Sequence, residues 1–350
     1  MCMNIKDIIK DLDAVQMIEL KNYLTDELSN ICGIKKSNSK IIENNSNEKA
    51  CSCGCIMSKN GHTKTGVQKY KCPSCSNTCC ETTGTVVYHS KLSFEIWKNV
   101  IDNLINGFSI RRIAEENNIS VFTSFNLRHK VLNAIKDYIE NIRLQGSIQS
   151  DEKYFKINLK GTKPNNMPRF SKKRTSKGNS TKGISHHFIC VVSSIDENDN
   201  LLLQITGLGR CTTKMLQESL GIKLKNAKEV NADSASAYQQ FCIDNNLELN
   251  AIPSGFHSDG IINISEINGV HSQLETWFSK FRGVSTRHLQ KYLDWFVYIF
   301  TMKKKFTLKN LKTNSYKEII VNDNYIDNKS ICNTPMPIDL NIAYAEYNHQ

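Results

Sequence analysis

The chain has 350 residues and 39.8 kDa, with 45 Lys and Arg against 34 Asp and Glu, for a net charge of +11. That length predicts two or three domains, and 39% hydrophobic with 23% charged residues excludes a disordered or fibrous chain. No apolar run approaches the ~18 residues of a membrane span, and Met1 to Lys10 mixes acid and base with no apolar core of a secretory signal. A soluble cytoplasmic, nucleoid-associated location is therefore expected, and the cationic surplus favours a polyanionic partner.

Apolar residues recur at near-helical spacing from Ile5 to Leu24, so residues 1–45 are expected to be a short helical segment and a linker. Seven of the 13 cysteines then fall between Cys51 and Cys80. In a reducing compartment, clustered thiols favour metal over disulfides. Cys72-Pro73-Ser74-Cys75 is a C-x2-C knuckle, and Cys51, Cys53 and Cys55 offer its partners about 20 residues earlier. The reading takes Cys51, Cys53, Cys72 and Cys75 as ligands of a structural Zn²⁺, with Cys55 as the alternate. Val67–Lys71 is the expected strand of a zinc ribbon over 46–90. A segment with so little apolar content needs such a staple.

Residues 91–145 read as helical. Within them Phe108–Ser120 has the pattern of a helix-turn-helix: Ser109 caps one helix, Asn117-Asn118 makes the turn, and Ser120 caps a second helix. Arg111, Arg112, Thr123, Asn126, Arg128 and Lys130 are the expected DNA contacts. From Gly146 the pattern changes to strands at Ser147–Leu159, His187–Ile195, Asn200–Thr206 and Glu229–Ala232. Helices are expected at Lys214–Leu220, Ser234–Asn245 and, one or two of them, Ile264–Lys304. The tail beyond Thr313 is weakly patterned. Between the first two strands, Lys160–Lys182 carries eight cations, Lys172, Lys173 and Arg174 among them, and no acid stands between Glu152 and Asp196. Such a loop suits a phosphodiester substrate.

Asp151 stands inside a strand and Asp233 at the end of another. Charges in strands are disfavoured unless they have a role. Two converging carboxylates would hold Mg²⁺ or Mn²⁺, hard cations that take oxygen ligands.

Many short matches then fall in one order: Gly66–Cys72, Thr82-Thr83-Gly84-Thr85, Asn106–Ser109, Gln149–Phe155, Met167-Pro168-Arg169, His271–Leu274 and Gly283–Leu293. On these the chain, from about Cys51 to Phe300, resembles bacterial insertion-sequence transposases of the DDE superfamily, the ISXO-like group. The resemblance implies a multidomain α+β chain whose residues 146–305 form an α/β ribonuclease H-like core, followed by a tail over 306–350. It implies DNA as partner, both the element's terminal inverted repeats and the target, cut and joined with Mg²⁺ or Mn²⁺, and a homodimer or higher assembly on paired ends. Asp151 and Asp233 match the first two catalytic acids. Aligning on His271-Ser272 puts Asn268 at the third position, with Glu266 as its near neighbour. One departure stands out: where the group carries Lys, seven residues after the third ligand, this chain has Glu275. A carboxylate there would repel phosphate unless it joins the metal's ligands. The expectation leans toward an impaired enzyme, and the alternative reading is a transposase-derived DNA-binding protein without catalysis.

Overall fold

The structure is a computed structural model describing residues 49–64, 66–161, 188–233, 236–252, 258–259, 262–281 and 283–340. The expected N-terminal helices, and Lys172, Lys173 and Arg174 of the basic loop, lie outside the described residues. The chain divides into two compact units, one ending at Thr83 and one starting at Gly84. The expected boundaries near 145 and 305 fall inside the second. Among the described residues no helix is long and apolar enough to cross a membrane.

In the first unit β1 (Ser58–His62), β2 (Gln68–Lys71) and β3 (Thr78–Cys80) form an antiparallel sheet in that order. Among its described residues the apolar cluster is Cys51, Met57 and Cys72, flanked by Cys55, Tyr70 and Cys79. That is far less burial than a self-sufficient core requires.

The second unit opens with four helices: α1 (Phe94–Ile105), α2 (Ile110–Glu116), α3 (Val121–Ala134) and α4 (Lys136–Glu140). Ser109 and Ser120 cap α2 and α3 as expected, accepting from the amides of Arg112 (3.3 Å) and Thr123 (3.0 Å). A five-stranded mixed sheet follows, ordered β6-β5-β4-β7-β8. Its strands are β4 (Leu144–Lys156), β5 (Phe188–Asp196), β6 (Leu201–Leu208), β7 (Leu224–Asp233) and β8 (Glu248–Ile252). β4 runs antiparallel to β5 and parallel to β7. Helices cover both faces, an architecture compatible with a ribonuclease H-like core.

Alternation along β4 decides what each face holds, because successive side chains point to opposite sides. Leu144 and Ile148 enter a core with Val230 and Ala232 of β7, Leu216 of α5 (Thr213–Ser219), and Tyr238 and Phe241 of α6 (Ser236–Asp244). The odd-numbered residues meet α7 (Ser265–Ser279) instead, which packs on β4 and β5. The β4–β7 pairing is irregular around Gly146. Leu144 pairs with Leu224, Gly146 with Ala227 and Ser147 with Glu229, so the offset grows from 80 to 81 to 82 residues and then holds through Gln149 and Asn231. Gly146 has φ of +61°, and a Cβ there would stand 2.1 Å from the Glu197 carboxylate, so the irregularity needs glycine.

α8 (Leu289–Lys305) packs against β6, α3 and α4, and α9 (Leu308–Val321) against α1 and α3. The weakly patterned tail is therefore partly helical. Leu311, Ser315 and Ile319 are buried at helical spacing. The polar Ser315, which hides the stripe in the sequence, sits 3.2 Å from the Tyr298 hydroxyl.

Candidate active site and thiol centre

The structure brings Cys51, Cys53, Cys72 and Cys75 together, their sulfurs all within 4.8 Å of one another. Cys51 Sγ is 3.4 Å from Cys75 Sγ, and Cys53 Sγ is 3.5 Å from Cys72 Sγ. All four are free thiols. Four sulfurs ~2.3 Å from a tetrahedral Zn²⁺ lie ~3.8 Å apart, so donor type and spacing both fit. The amide of Cys53 and the thiol of Cys75 hold the Cys51 thiol down at about 6, while Cys53 and Cys75 are pushed up by their sulfur neighbours. Cys55, the alternate, is not in the group.

On the α7-facing side of the sheet lies a polar strip. The β4–β7 register pairs Gln149 with Asn231. The pairing ends there; Asp151 and Asp233 each lie two residues further along their strand, so alternation puts both on this face, and both are half-buried. Gln149 anchors the helix above them, its Oε1 accepting from the amides of Glu266 (3.1 Å) and Ile267 (3.2 Å) at the start of α7. One Asp151 oxygen accepts from the Glu152 amide at 2.8 Å, and the other lies 3.5 Å from His271 Nδ1. Burial, then the Lys153 ammonium, hold His271 down at about 4, so its ring is neutral at pH 7. Asn268, His271 and Glu275 share one face of α7, within about 60° of arc. Among the described residues only the thiols close to metal-ligand spacing; the carboxylates and His271 leave a more open set.

Glu152 points the other way, into the core beneath the strip. Burial, then the neighbouring Asp151 carboxylate, lift it to about 7, against a lowering hydrogen bond from Tyr238. Two adjacent acids in the sequence thus occupy opposite faces, and only Asp151 reaches the strip.

On α7 the carboxylate of Glu266, the near neighbour of Asn268, lies 3.7 Å from Lys304 on α8. Glu275 does not present a bare negative charge, because it is ion-paired with Lys153, two residues after Asp151 on the same face. That bond and the Lys153 charge hold Glu275 below the usual carboxylate range. Sequence reading passed over Lys153, whose only signal was a cation in odd phase with Asp151. It also used His271 as an alignment mark without giving it a role. The pairing carries an expected outcome: Glu275→Lys, which sets two ammoniums together, lowers activity about fivefold, ~1 kcal/mol for a partly exposed pair. The reversed pair Lys153→Glu/Glu275→Lys recovers most of the loss. A single Glu275→Lys more active than the parent in a cleavage assay defeats this account.

The second helix is also not as expected. Asn126, Arg128 and Lys130 are buried in α3. The Arg128 guanidinium donates to the Tyr292 hydroxyl (3.1 Å) and to the Phe108 carbonyl. Lys130 lies 5.4 Å from the Tyr325 ring centroid, and burial lowers its pKa. None of the three is on an outer face that could enter a groove. Arg111 and Arg112 are exposed, and Thr123 is half-exposed beside the Ser120 cap.

No curated protein matches the chain. A chain in the electron cryomicroscopy structure of the simian T-cell lymphotropic virus intasome, in complex with PP2A regulatory subunit B56 gamma, is similar at 12% identity and a TM-score of 0.25. The match covers 62% of this chain and 66% of that one, just under two thirds of its length. A likeness at that score says nothing about individual residues. Residues 143–301, which include the sheet, Asp151, Asp233 and α7, match the family model of the ISXO2-like transposase domain, so this part of the chain is similar to insertion-sequence transposases of the DDE superfamily.

Proposed function

We propose that the protein cuts and joins DNA strands at the ends of an insertion sequence, with Asp151 and Asp233 as the paired metal-binding acids. What supports this is that β4 and β7 run parallel and their pairing ends at Gln149 and Asn231, two residues before Asp151 and Asp233 on their strands, inside the transposase domain. Their oxygen donors suit Mg²⁺ or Mn²⁺. Asn268 would supply a third, uncharged oxygen, with His271 one turn on. A divalent ion there supplies Lewis acidity and an activated oxygen nucleophile for in-line displacement at phosphorus. The chain's own residues do the positioning. Gln149 ties α7 to the sheet, so the helix that overlies the acids is fixed relative to them. Lys153 neutralises Glu275 at the edge of the strip, so an approaching phosphate does not meet a bare carboxylate.

The four thiols would hold Zn²⁺ and close a zinc ribbon. Helices α2 and α3 would act as a helix-turn-helix whose exposed part, Arg111, Arg112 and Thr123, meets DNA. Two ends must be paired, so a dimer or larger assembly is expected on DNA. The rival reading, a DNA-binding derivative without catalysis, drew on charge reversal at Glu275, and Lys153 offsets that charge.

The test uses the full chain with linear duplexes of the DNA flanking its gene. Mg²⁺- or Mn²⁺-dependent nicking at the element boundary, followed by joined product, is expected. Binding with no cleavage in either ion supports the rival, and cleavage without joined product would reduce the protein to a nuclease.

A further inference from the structure

In the second unit a cleft of about 1370 Å³ opens between α2 and α3 on one side and the segment from Lys280 to Tyr292 on the other. Six Lys and Arg side chains line it against two glutamates, Glu115 and Glu116. Glu116 is already taken by Arg112, at 3.4 Å.

The inner end is cationic and incompletely bonded. Arg128, 1% exposed, has two hydrogen bonds, but its Nε has no hydrogen-bond partner among the described residues. Arg287 Nε, His129 Nδ1 and His288 Nδ1 are buried and equally unpartnered. The rings of His129 and His288 lie 4.1 Å apart. Four unpartnered polar atoms in one cleft is a cluster that needs a ligand, since each unmade bond costs about 1–3 kcal/mol. Burial, then the cations Lys291 and Arg287, hold His288 down at about 4, so no proton on that ring adds to the local charge at pH 7. Aromatic rings stand beside the cations: Arg128 lies 5.3 Å from the Phe281 centroid and 5.9 Å from that of Tyr292.

Anionic oxygen next to aromatic faces is the chemistry of a nucleotide. A duplex presents its phosphates on a convex rim and cannot lower one on to a buried guanidinium; an unpaired nucleotide can. The cleft is also within reach of the acids. Asn158 accepts from the Thr286 amide at 2.8 Å, and Asp151 to Asn158 is at most ~25 Å of chain.

We propose that this cleft binds unpaired DNA, one phosphate against Arg128, Arg287 and His288, and its base beside the half-exposed Phe108 and the Arg112 guanidinium over that ring. The inference deepens the strand-transfer reading and rests on it for the source of the unpaired strand.

The test measures fluorescence anisotropy of a labelled oligothymidine and of a blunt duplex on the full chain in chelator, so that no cleavage is involved. Arg287→Gln/His288→Ala is expected to weaken oligothymidine binding about tenfold while duplex binding stays within about twofold. Arg128→Lys, which keeps the charge but loses the fork, gives a second, milder loss. Unchanged oligothymidine affinity overturns the proposal, and so does a parallel loss for both probes. Displacement of oligothymidine by polyglutamate at equal charge concentration also overturns it, since bare electrostatics would then suffice. If cleavage fails but these binding differences hold, the strand-transfer reading is at fault and the cleft is not.

Discussion

Asp151→Asn and Asp233→Asn each abolish divalent-dependent cleavage, by on the order of 10³-fold, the loss typical of removing one preorganised electrostatic group from a reacting centre. The stability readout separates this from unfolding. In the proposed centre each acid faces the other, and without a cation their charges would oppose one another. Neutralising one therefore leaves the melting temperature unchanged or slightly raised. The parent should gain stability on adding Mg²⁺ or Mn²⁺, because an ion bound only by the folded state shifts the equilibrium toward it. The variants should lose that gain. Binding to duplex ends should survive in both. A variant that still cleaves removes its aspartate from the centre, and one that loses duplex binding points to a structural role.

Cys72→Ser is expected to unfold the first unit while the second keeps its melting transition. Cys72 is fully buried and its sulfur lies between Cys53 and the Cys75 amide. With so little apolar burial, the stability of this sheet would come from metal binding, worth ~10 kcal/mol or more in small zinc modules at neutral pH. Elemental analysis should find zinc at one ion per chain in the parent and much less in Cys72→Ser. Cys55→Ser should keep the full amount, because Cys55 stands outside the four-thiol group. Zinc content that falls with Cys55, or its absence from freshly purified parent protein, would count against the centre.

The strand carrying Asp151 was legible in the sequence from short runs of β-branched and apolar residues, and the strand ending at Asp233 from its place just before a helix. The caps Ser109 and Ser120 were legible from local hydrogen-bonding chemistry alone. What could not be read was long-range. Arg128 reads as a solvated cation until Tyr292, 164 residues away, supplies its partner. Val121 and Phe122, the apolar start of the same helix, are the residues left exposed. In the same way Lys153 and Glu275 are 122 residues apart, and neither charge announces the other.

The irregular pairing at Gly146 has a consequence for the acids themselves. At the 80-residue offset with which β4 and β7 begin, Asp151 would stand level with Asn231. The two added steps slide the partner by two positions, ~7 Å along the strand, and so change the separation of the two aspartates. The spacing of the proposed centre is thus set five residues upstream of it, at a left-handed backbone position that favours glycine. A side chain at Gly146 would detune the centre without touching either aspartate.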